Sequence, residues 1–110
     1  MEKLGTFSLK GASGQKYKFI AHPLKTNFEA ISAVYAVTKR YKNLEDGHDH
    51  NVIYIGQTNN ISKEFESHQK GDCFMAYSAN CVCIHEDDDE QSRLDKEKDI
   101  LSKYSPACNK

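Results

Sequence analysis

The sequence predicts an α/β (α+β) fold in one domain of 110 residues, with a small, central, mainly antiparallel three-stranded sheet flanked by helices. Residues 33–37 and 52–55 are apolar runs rich in β-branched and aromatic residues, as expected of buried strands. A third such run occupies residues 81–85, and helical spacing follows the second and third runs. Residues 1–32 precede these three runs as an N-terminal extension.

The extension alternates polar and apolar residues on both sides of residues 11–14, which predicts a β-hairpin. We expect His22 and Pro23 to end this hairpin and the hairpin to cover one edge or face of the central sheet. The side chains expected to point inward are Phe7, Leu9, Tyr17 and Phe19.

The polar residues 41–50 join the first two central strands. His48 and His50, together with Asp46 and Asp49, offer metal-binding groups, but their spacing suits no well-specified zinc pattern. We therefore predict a solvated loop here.

Two helices are predicted after the strands. Turn and cap residues at 57–60 predict a helix from Ile61 that presents Ile61, Phe65 and His68 on one face and ends at Gly71. The acidic residues before a second helix, at about 90–103, favour its N-terminus electrostatically and supply a capping Asp.

One carboxylate of the last helix lies within a predicted apolar stripe. Leu94, Glu97, Leu101 and Tyr104 are spaced i, i+3, i+7 and i+10. A carboxylate on such a face must be paired, hydrogen-bonded, protonated or bound to a metal, because burying an unpaired charge is costly. The pattern alone does not choose between a lysine or arginine partner for Glu97 and a metal ion.

Composition restricts the partners and the compartment. The formal net charge of −1 gives no support for strong non-specific binding to nucleic acid. We find neither an apolar signal segment nor a run of about 20 apolar residues, and so expect a cytoplasmic protein without a membrane partner. With His85 near the cysteines but no CxxC pair, we expect buried reduced thiols and not a zinc site. The cysteines are Cys73, Cys81, Cys83 and Cys108.

Two tyrosine motifs carry a family resemblance. Ala33-Val34-Tyr35 in the first central strand and Tyr54-Ile55-Gly56 in the second resemble the paired motifs of the GIY-YIG nuclease domain. Further residues of the family pattern follow in order, over residues 33–109 as a whole. They are His68, Glu97, Pro106 and Asn109.

The resemblance implies a divalent-metal-dependent DNA phosphodiester hydrolase of the endonuclease type. Glu97 would hold a single Mg²⁺ or Mn²⁺ ion, and Tyr35 would act as the base or its relay, with Tyr54 as its hydrogen-bonding partner. His68 would lie beside the phosphate, and Asn109 would complete the catalytic set. Because the ordinary pKa of tyrosine is about 10, a base role for Tyr35 needs a nearby cation or metal.

One departure from the family pattern bears directly on activity. Where the family places an arginine, four residues before His68, this chain has Glu64. This exchange removes a favourable interaction worth several kcal/mol and adds repulsion toward phosphate. The candidate substrate-binding residues that remain are Arg40, Gln57 and Lys63, and Glu64 is also spaced to pair with His68 and stabilise its protonated form.

Three functions therefore stay open. The first is a DNA endonuclease, impaired because of Glu64, whose specificity comes from a protein partner. The second is a catalytically inactive nuclease-like module that binds nucleic acid or a protein. The third is a small structural domain in which Glu97 is merely salt-bridged. A stabilisation by metal that Glu97→Ala abolishes would separate the first two from the third.

Overall fold

The computed structural model describes residues 2–65 and 68–109. These residues form an α+β structure, which confirms the general class. The elements are β1 (Gly5–Lys10), β2 (Lys16–Pro23), β3 (Ala33–Lys42), β4 (His48–Thr58), α1 (Ile61–Glu64), α2 (Gly71–Ala76), β5 (Cys81–Glu86), α3 (Glu90–Leu101) and a 3₁₀ turn (Ala107–Asn109). No helix within the described ranges is both long and apolar enough to cross a membrane.

The sheet has five antiparallel strands in the order β1-β2-β5-β3-β4, so the prediction of three central strands was wrong. The hairpin itself forms as predicted. However, β2 pairs with β5, from Ile20 opposite Ile84 to Pro23 opposite Cys81, and the hairpin is therefore part of the sheet. Pairing of the two strands satisfies backbone groups that a covering hairpin would have left to other partners.

The link between β3 and β4 is shorter than predicted, because both strands extend into residues 41–50. A turn of five residues, 43–47, remains, in which Asn43 Oδ1 accepts hydrogen bonds from the Glu45 and Gly47 amides at 2.9 and 3.0 Å. His48 and His50 consequently lie on β4, and the prediction of a solvated loop for these histidines was wrong.

A β-bulge interrupts the pairing of β3 with β4. Val37 lies opposite Tyr54 and Thr38 lies opposite Val52, which leaves Ile53 as the extra residue. As a result Ile53 and Tyr54, although adjacent in sequence, both pack against the same side of the sheet.

Each side of the sheet has its own apolar core. The α3-side core contains Leu9, Tyr17, Phe19, Ala21, Val34, Ala36, Ile55, Cys81, Cys83 and Ile100. The tyrosine-side core contains Phe28, Ala33, Tyr35, Val37, Ile53, Ile61, Phe74, Val82, Ile84 and Cys108. The sheet curls around the α3-side core, since Phe7 on one edge strand stacks on His50 on the other, with ring centroids 4.3 Å apart.

Helix α3 has its predicted N-terminus, where the side chain of Asp89 accepts a hydrogen bond from the Ser92 amide at 3.1 Å. Its buried residues are Arg93 and Ile100. Leu94 is 39% exposed, so its placement in the apolar stripe was wrong. Residues 93, 97 and 100 are spaced i, i+4 and i+7, and the true inward face is shifted by one residue.

The helix predicted over residues 61–71 is short and is followed by a second one. Asn60 caps α1 as expected, because its Oδ1 accepts a hydrogen bond from the Ser62 amide at 3.0 Å. Helix α1 ends at Glu64, and residues 66 and 67 of the predicted helix lie outside the described residues. His68 is not helical, and Gly71 begins α2 where we expected it to end a helix.

The cysteines are of two kinds. Cys73 and Cys108 form a disulfide with an S–S distance of 2.06 Å, so the prediction that all four are reduced was wrong. The two residues are 35 positions apart, and the fold brings α2 and the 3₁₀ turn together on the tyrosine-side core, which the sequence pattern did not show. Cys81 and Cys83 are buried thiols, as expected.

Candidate functional site

The two motif tyrosines meet at a glycine. Tyr35 on β3 is 1% exposed and pairs with Gly56 on β4, and its ring centroid lies 6.0 Å from that of Tyr54. A Cβ atom at residue 56 would lie 2.6 Å from Tyr35 Oη and 2.9 Å from Tyr54 Cε2. The absence of a side chain at Gly56 therefore allows both phenol rings to approach the backbone.

A directed hydrogen-bond network holds the Tyr35 hydroxyl. Tyr35 Oη donates to Glu64 Oε2 at 2.7 Å and lies 2.9 Å from His68 Nε2. His68 Nδ1 accepts a hydrogen bond from the backbone amide of Lys70 at 3.0 Å, so the ring proton of neutral His68 is on Nε2. The imidazole then donates to Tyr35, and Tyr35 donates to the Glu64 carboxylate.

Burial dominates the titration of these groups. It raises the pKa of Tyr35 far above its usual value, and the hydrogen bond and charge of Glu64 add to this. Burial also raises the pKa of Tyr54, with smaller contributions from Glu97 and Glu64. For His68, burial lowers the pKa despite the Glu64 carboxylate 3.6 Å away. Glu64 and His68 lie in contact as expected, while burial shifts the pKa of His68 away from the protonated form that we predicted Glu64 to stabilise.

Glu97 approaches the tyrosines from α3. Its carboxylate is half-buried, burial raises its pKa, and its charge acts on Tyr54. Throughout residues 2–65 and 68–109, no hydrogen bond or ion pair reaches this carboxylate. A half-buried carboxylate without a partner among these described residues fits a divalent cation whose other ligands are water and substrate oxygens.

Asn109 is held by the backbone of β4. Its Oδ1 accepts from the Ile55 amide and its Nδ2 donates to the Ile55 carbonyl, both at 2.8 Å. These two hydrogen bonds cover the outer edge of β4 beside Tyr54 and fix the 3₁₀ turn to the sheet. In this structure Asn109 therefore positions the strand that carries Tyr54.

The three candidate substrate-binding residues are not brought together. Arg40 donates to the Leu4 carbonyl at 2.8 Å, beside the other end of β3, and so does not replace the missing arginine near Tyr35. Gln57, directly after Gly56, accepts a hydrogen bond from Arg93 Nε at 3.0 Å. Lys63 is exposed on α1.

Sequence reasoning missed Arg93. This residue is 3% exposed, and its guanidinium donates to Gln57 and to the Asp87 carbonyl, at 3.0 and 3.1 Å. It borders a cavity of about 270 Å³ that Gln57 and Glu90 also line. The i, i+4 spacing of Arg93 and Glu97 indicated a shared helix face. Hydrophobic periodicity does not identify Arg93 as an inward residue, because arginine is polar.

An apolar groove of about 540 Å³ adjoins the site at His68. Its walls include Phe28, Ile61, Phe65 and Phe74, whose rings and alkyl groups present more apolar than polar surface. The Phe65 ring stacks on His68 with centroids 5.6 Å apart, which links this groove to the hydrogen-bond network.

Comparison of this chain with protein-family models, with curated proteins and with solved structures gave no match.

Proposed function

We propose that this protein is a GIY-YIG-like, divalent-metal-dependent phosphodiester hydrolase that acts on DNA with attenuated activity. The observation that carries the proposal is the Tyr35 hydroxyl held between His68 and Glu64, with Tyr54 beside it. Such an arrangement suits proton transfer from a water molecule, because the phenol already has a carboxylate to receive its own proton. The partner is a nucleic acid, and a second protein would supply sequence specificity.

Tyr35 acts as a relay in this proposal. The oxygen of the attacking water forms a bond to phosphorus and the water gives one proton to Tyr35 Oη, as that oxygen passes its own proton to Glu64. The bond from phosphorus to the leaving oxygen breaks, and the leaving oxygen takes a proton from solvent. His68 Nε2–H keeps Tyr35 Oη in position throughout. The raised pKa of Tyr35 supports this role over that of a phenolate formed before substrate binds.

Glu97 is the residue that would hold Mg²⁺ or Mn²⁺. When bound, the ion would polarise the scissile phosphate and stabilise negative charge on the leaving oxygen. Glu64 repels that phosphate, and this is the physical reason for attenuated activity. Arg93 beside Gln57 is the buried cation that we assign to offset part of that repulsion.

The test is cleavage of supercoiled plasmid with Mg²⁺ or Mn²⁺. We expect slow nicking by the wild type and none by Glu97→Ala. Asp95→Ala is the matched control, because Asp95 is an exposed carboxylate of the same helix. Glu64→Gln removes both the final proton acceptor and the charge that repels phosphate. Because loss of the acceptor dominates in this mechanism, nicking should slow by about 10²-fold or more. Wild-type activity that survives in Glu97→Ala would contradict the proposal.

The second candidate is a nuclease-like module that binds nucleic acid or a protein without cleaving. It is favoured by the carboxylate of Glu64 in the place of a phosphate-binding cation. Nicking by Glu64→Arg, with none by the wild type, would support this candidate and mark a scaffold disabled at one position. Absence of nicking by the wild type and by all of these variants would favour a binding or interaction role.

A further inference from the structure

Three side chains that bind soft metals lie together in the α3-side core, away from the tyrosines. Cys81 and Cys83 point to the same side of β5, because side chains alternate along a strand, and both are fully buried. His50 extends from β4 toward them across β3, the strand between. One nitrogen and the two sulfurs all lie within 4.8 Å of one another.

The separations of these atoms suit one tetrahedral ion. Cys81 Sγ lies 3.9 Å from Cys83 Sγ, and Cys83 Sγ lies 3.9 Å from His50 Nδ1. Tetrahedral zinc, with Zn–S near 2.3 Å and Zn–N near 2.0 Å, requires separations of about 3.8 Å between sulfurs and about 3.6 Å between sulfur and nitrogen. We propose that His50, Cys81 and Cys83 bind one Zn²⁺ ion that joins β4 to β5.

Charge favours this ion over a monovalent or a hard one. Two thiolates, one neutral imidazole and Zn²⁺ sum to zero, so the occupied site carries no net charge into the core. Binding releases two thiol protons to solvent as two Zn–S bonds form, without oxidation or reduction. Mg²⁺ and Ca²⁺ prefer oxygen ligands, and Cu⁺ would leave one uncompensated negative charge among the ligands.

Thr38 and Phe7 would orient the ligands. Thr38 Oγ1 lies 2.8 Å from His50 Nδ1 and 3.8 Å from Cys83 Sγ, and so contacts two of the three ligand atoms. When Nδ1 binds metal, the Thr38 hydroxyl proton is available to the Cys83 thiolate. The Phe7 ring stacks on the imidazole at an interplanar angle of 13°, which fixes the plane of His50.

The consequence is a cross-link on the side of the sheet opposite the disulfide. Cys73 and Cys108 join elements on the tyrosine-side core, whereas the zinc site would join strands on the α3-side core. The two strands it connects are not neighbours, since β3 lies between them. Zinc binding should therefore resist opening of the curled sheet, independently of events at Glu97.

The test measures metal content and metal geometry in the intact protein. Protein stripped with a chelator is kept free of oxygen and of thiol reductants, so that Cys81 and Cys83 stay reduced and the disulfide stays intact, and is titrated with Zn²⁺ and separately with Co²⁺. We expect one Zn²⁺ per chain, and a Co²⁺ absorption spectrum with tetrahedral bands and thiolate-to-metal charge transfer. At free Zn²⁺ 100-fold above its Kd, the ratio of folded to unfolded protein should rise about 100-fold.

Matched variants locate the site. His50→Ala and Cys83→Ala should each weaken Zn²⁺ binding more than about 100-fold. His48→Ala, an exposed histidine of the same strand, Glu97→Ala and the double variant Cys73→Ala/Cys108→Ala should retain full stoichiometry. If Cys83→Ala does not fold, the wild-type Co²⁺ spectrum and His50→Ala decide the question.

Three results would overturn the proposal. The first is a wild type that binds no Zn²⁺ and gives no tetrahedral Co²⁺ spectrum. The second is equal Zn²⁺ binding by His50→Ala and the wild type. The third is uptake of Cu⁺ by these residues with no uptake of Zn²⁺.

Discussion

The contact between Tyr35 and Gly56 shows how a single hydrogen atom in place of a methyl group shapes the candidate site. Tyr35 contacts the backbone of the neighbouring strand at a point where any Cβ atom would overlap its phenol oxygen. Overpacked cores typically lose 1–3 kcal/mol of stability, because side chains or backbone must shift. Packing against Tyr35 thus requires a glycine at residue 56, and this requirement does not depend on the proposed chemistry.

We predict that Gly56→Ala lowers the free energy of unfolding by about 1–3 kcal/mol and displaces the Tyr35 hydroxyl from Glu64. Urea denaturation measures the stability loss. Gly71→Ala is the control, since a Cβ atom at Gly71 meets nothing within 4 Å, and its effect should stay within about 0.5 kcal/mol. Equal effects of the two substitutions would show that Tyr35 does not pack against residue 56.

Helix α3 illustrates what sequence periodicity can and cannot predict for an element. Its start, its cap and the inward position of Glu97 follow from the spacing and from the acidic residues before it. The inward position of Arg93 and the outward position of Leu94 do not follow from the sequence pattern. The hydrogen bond from Arg93 to Gln57 outweighs the hydropathy of the single residue Leu94. Local pattern predicts the element, whereas its exact face is decided by partners distant in sequence.

In the sheet too, local pattern predicts the strands but neither their pairing nor the β-bulge. Alternation predicted both hairpin strands, but whether β2 covers the sheet or joins it depends on a partner strand about 60 residues away. The bulge at Ile53, which turns Tyr54 toward Tyr35, has no marker in an apolar run. Long-range pairing of this kind also brings His50 to the cysteines of β5, which adjacency in sequence does not suggest.

For α3, we predict that Glu97→Gln makes the metal-free protein more stable than the wild type at pH 7. Burial raises the pKa of Glu97 in the folded state, so the folded protein bears a penalty for the ionised carboxylate that the unfolded chain does not. This penalty is absent below the ordinary pKa of about 4.3, grows as pH rises from there to the raised folded-state pKa, and is constant above it. Chemical denaturation at pH 7 and near pH 4 measures the difference.

The two proteins should therefore converge in stability near pH 4. Mg²⁺ or Mn²⁺ should stabilise only the wild type, because glutamine offers the ion no charge. Asp95→Asn, at an exposed carboxylate of the same helix, should change stability by less than about 0.5 kcal/mol at either pH. A Glu97→Gln protein less stable than the wild type at pH 7 would indicate a cationic partner for Glu97.

At the scale of the whole molecule, the two cores are closed by different means. The α3-side core lies within the curl of the sheet and under α3. The tyrosine-side core is covered by the short helices α1 and α2, of four and six residues, and by the 3₁₀ turn. Helices of this length are marginal by themselves, so their position depends on packing and on covalent or hydrogen-bonded attachment. The disulfide and Asn109 provide both attachments at the same turn.

We predict that loss of the disulfide lowers the free energy of unfolding by about 2–4 kcal/mol, because the bond closes a long loop in the unfolded chain. Cys73→Ala/Cys108→Ala should show this loss and should no longer respond to dithiothreitol, whereas the wild type loses stability when the reductant is added. Cys81→Ala/Cys83→Ala is the control and should keep the response. Urea denaturation gives the energies, and mass spectrometry of the intact chain reports the bond as two hydrogens fewer. A wild type whose stability and mass do not change with reductant would contradict the prediction. In that case the position of α2 on the core would depend on Phe74 and its apolar contacts.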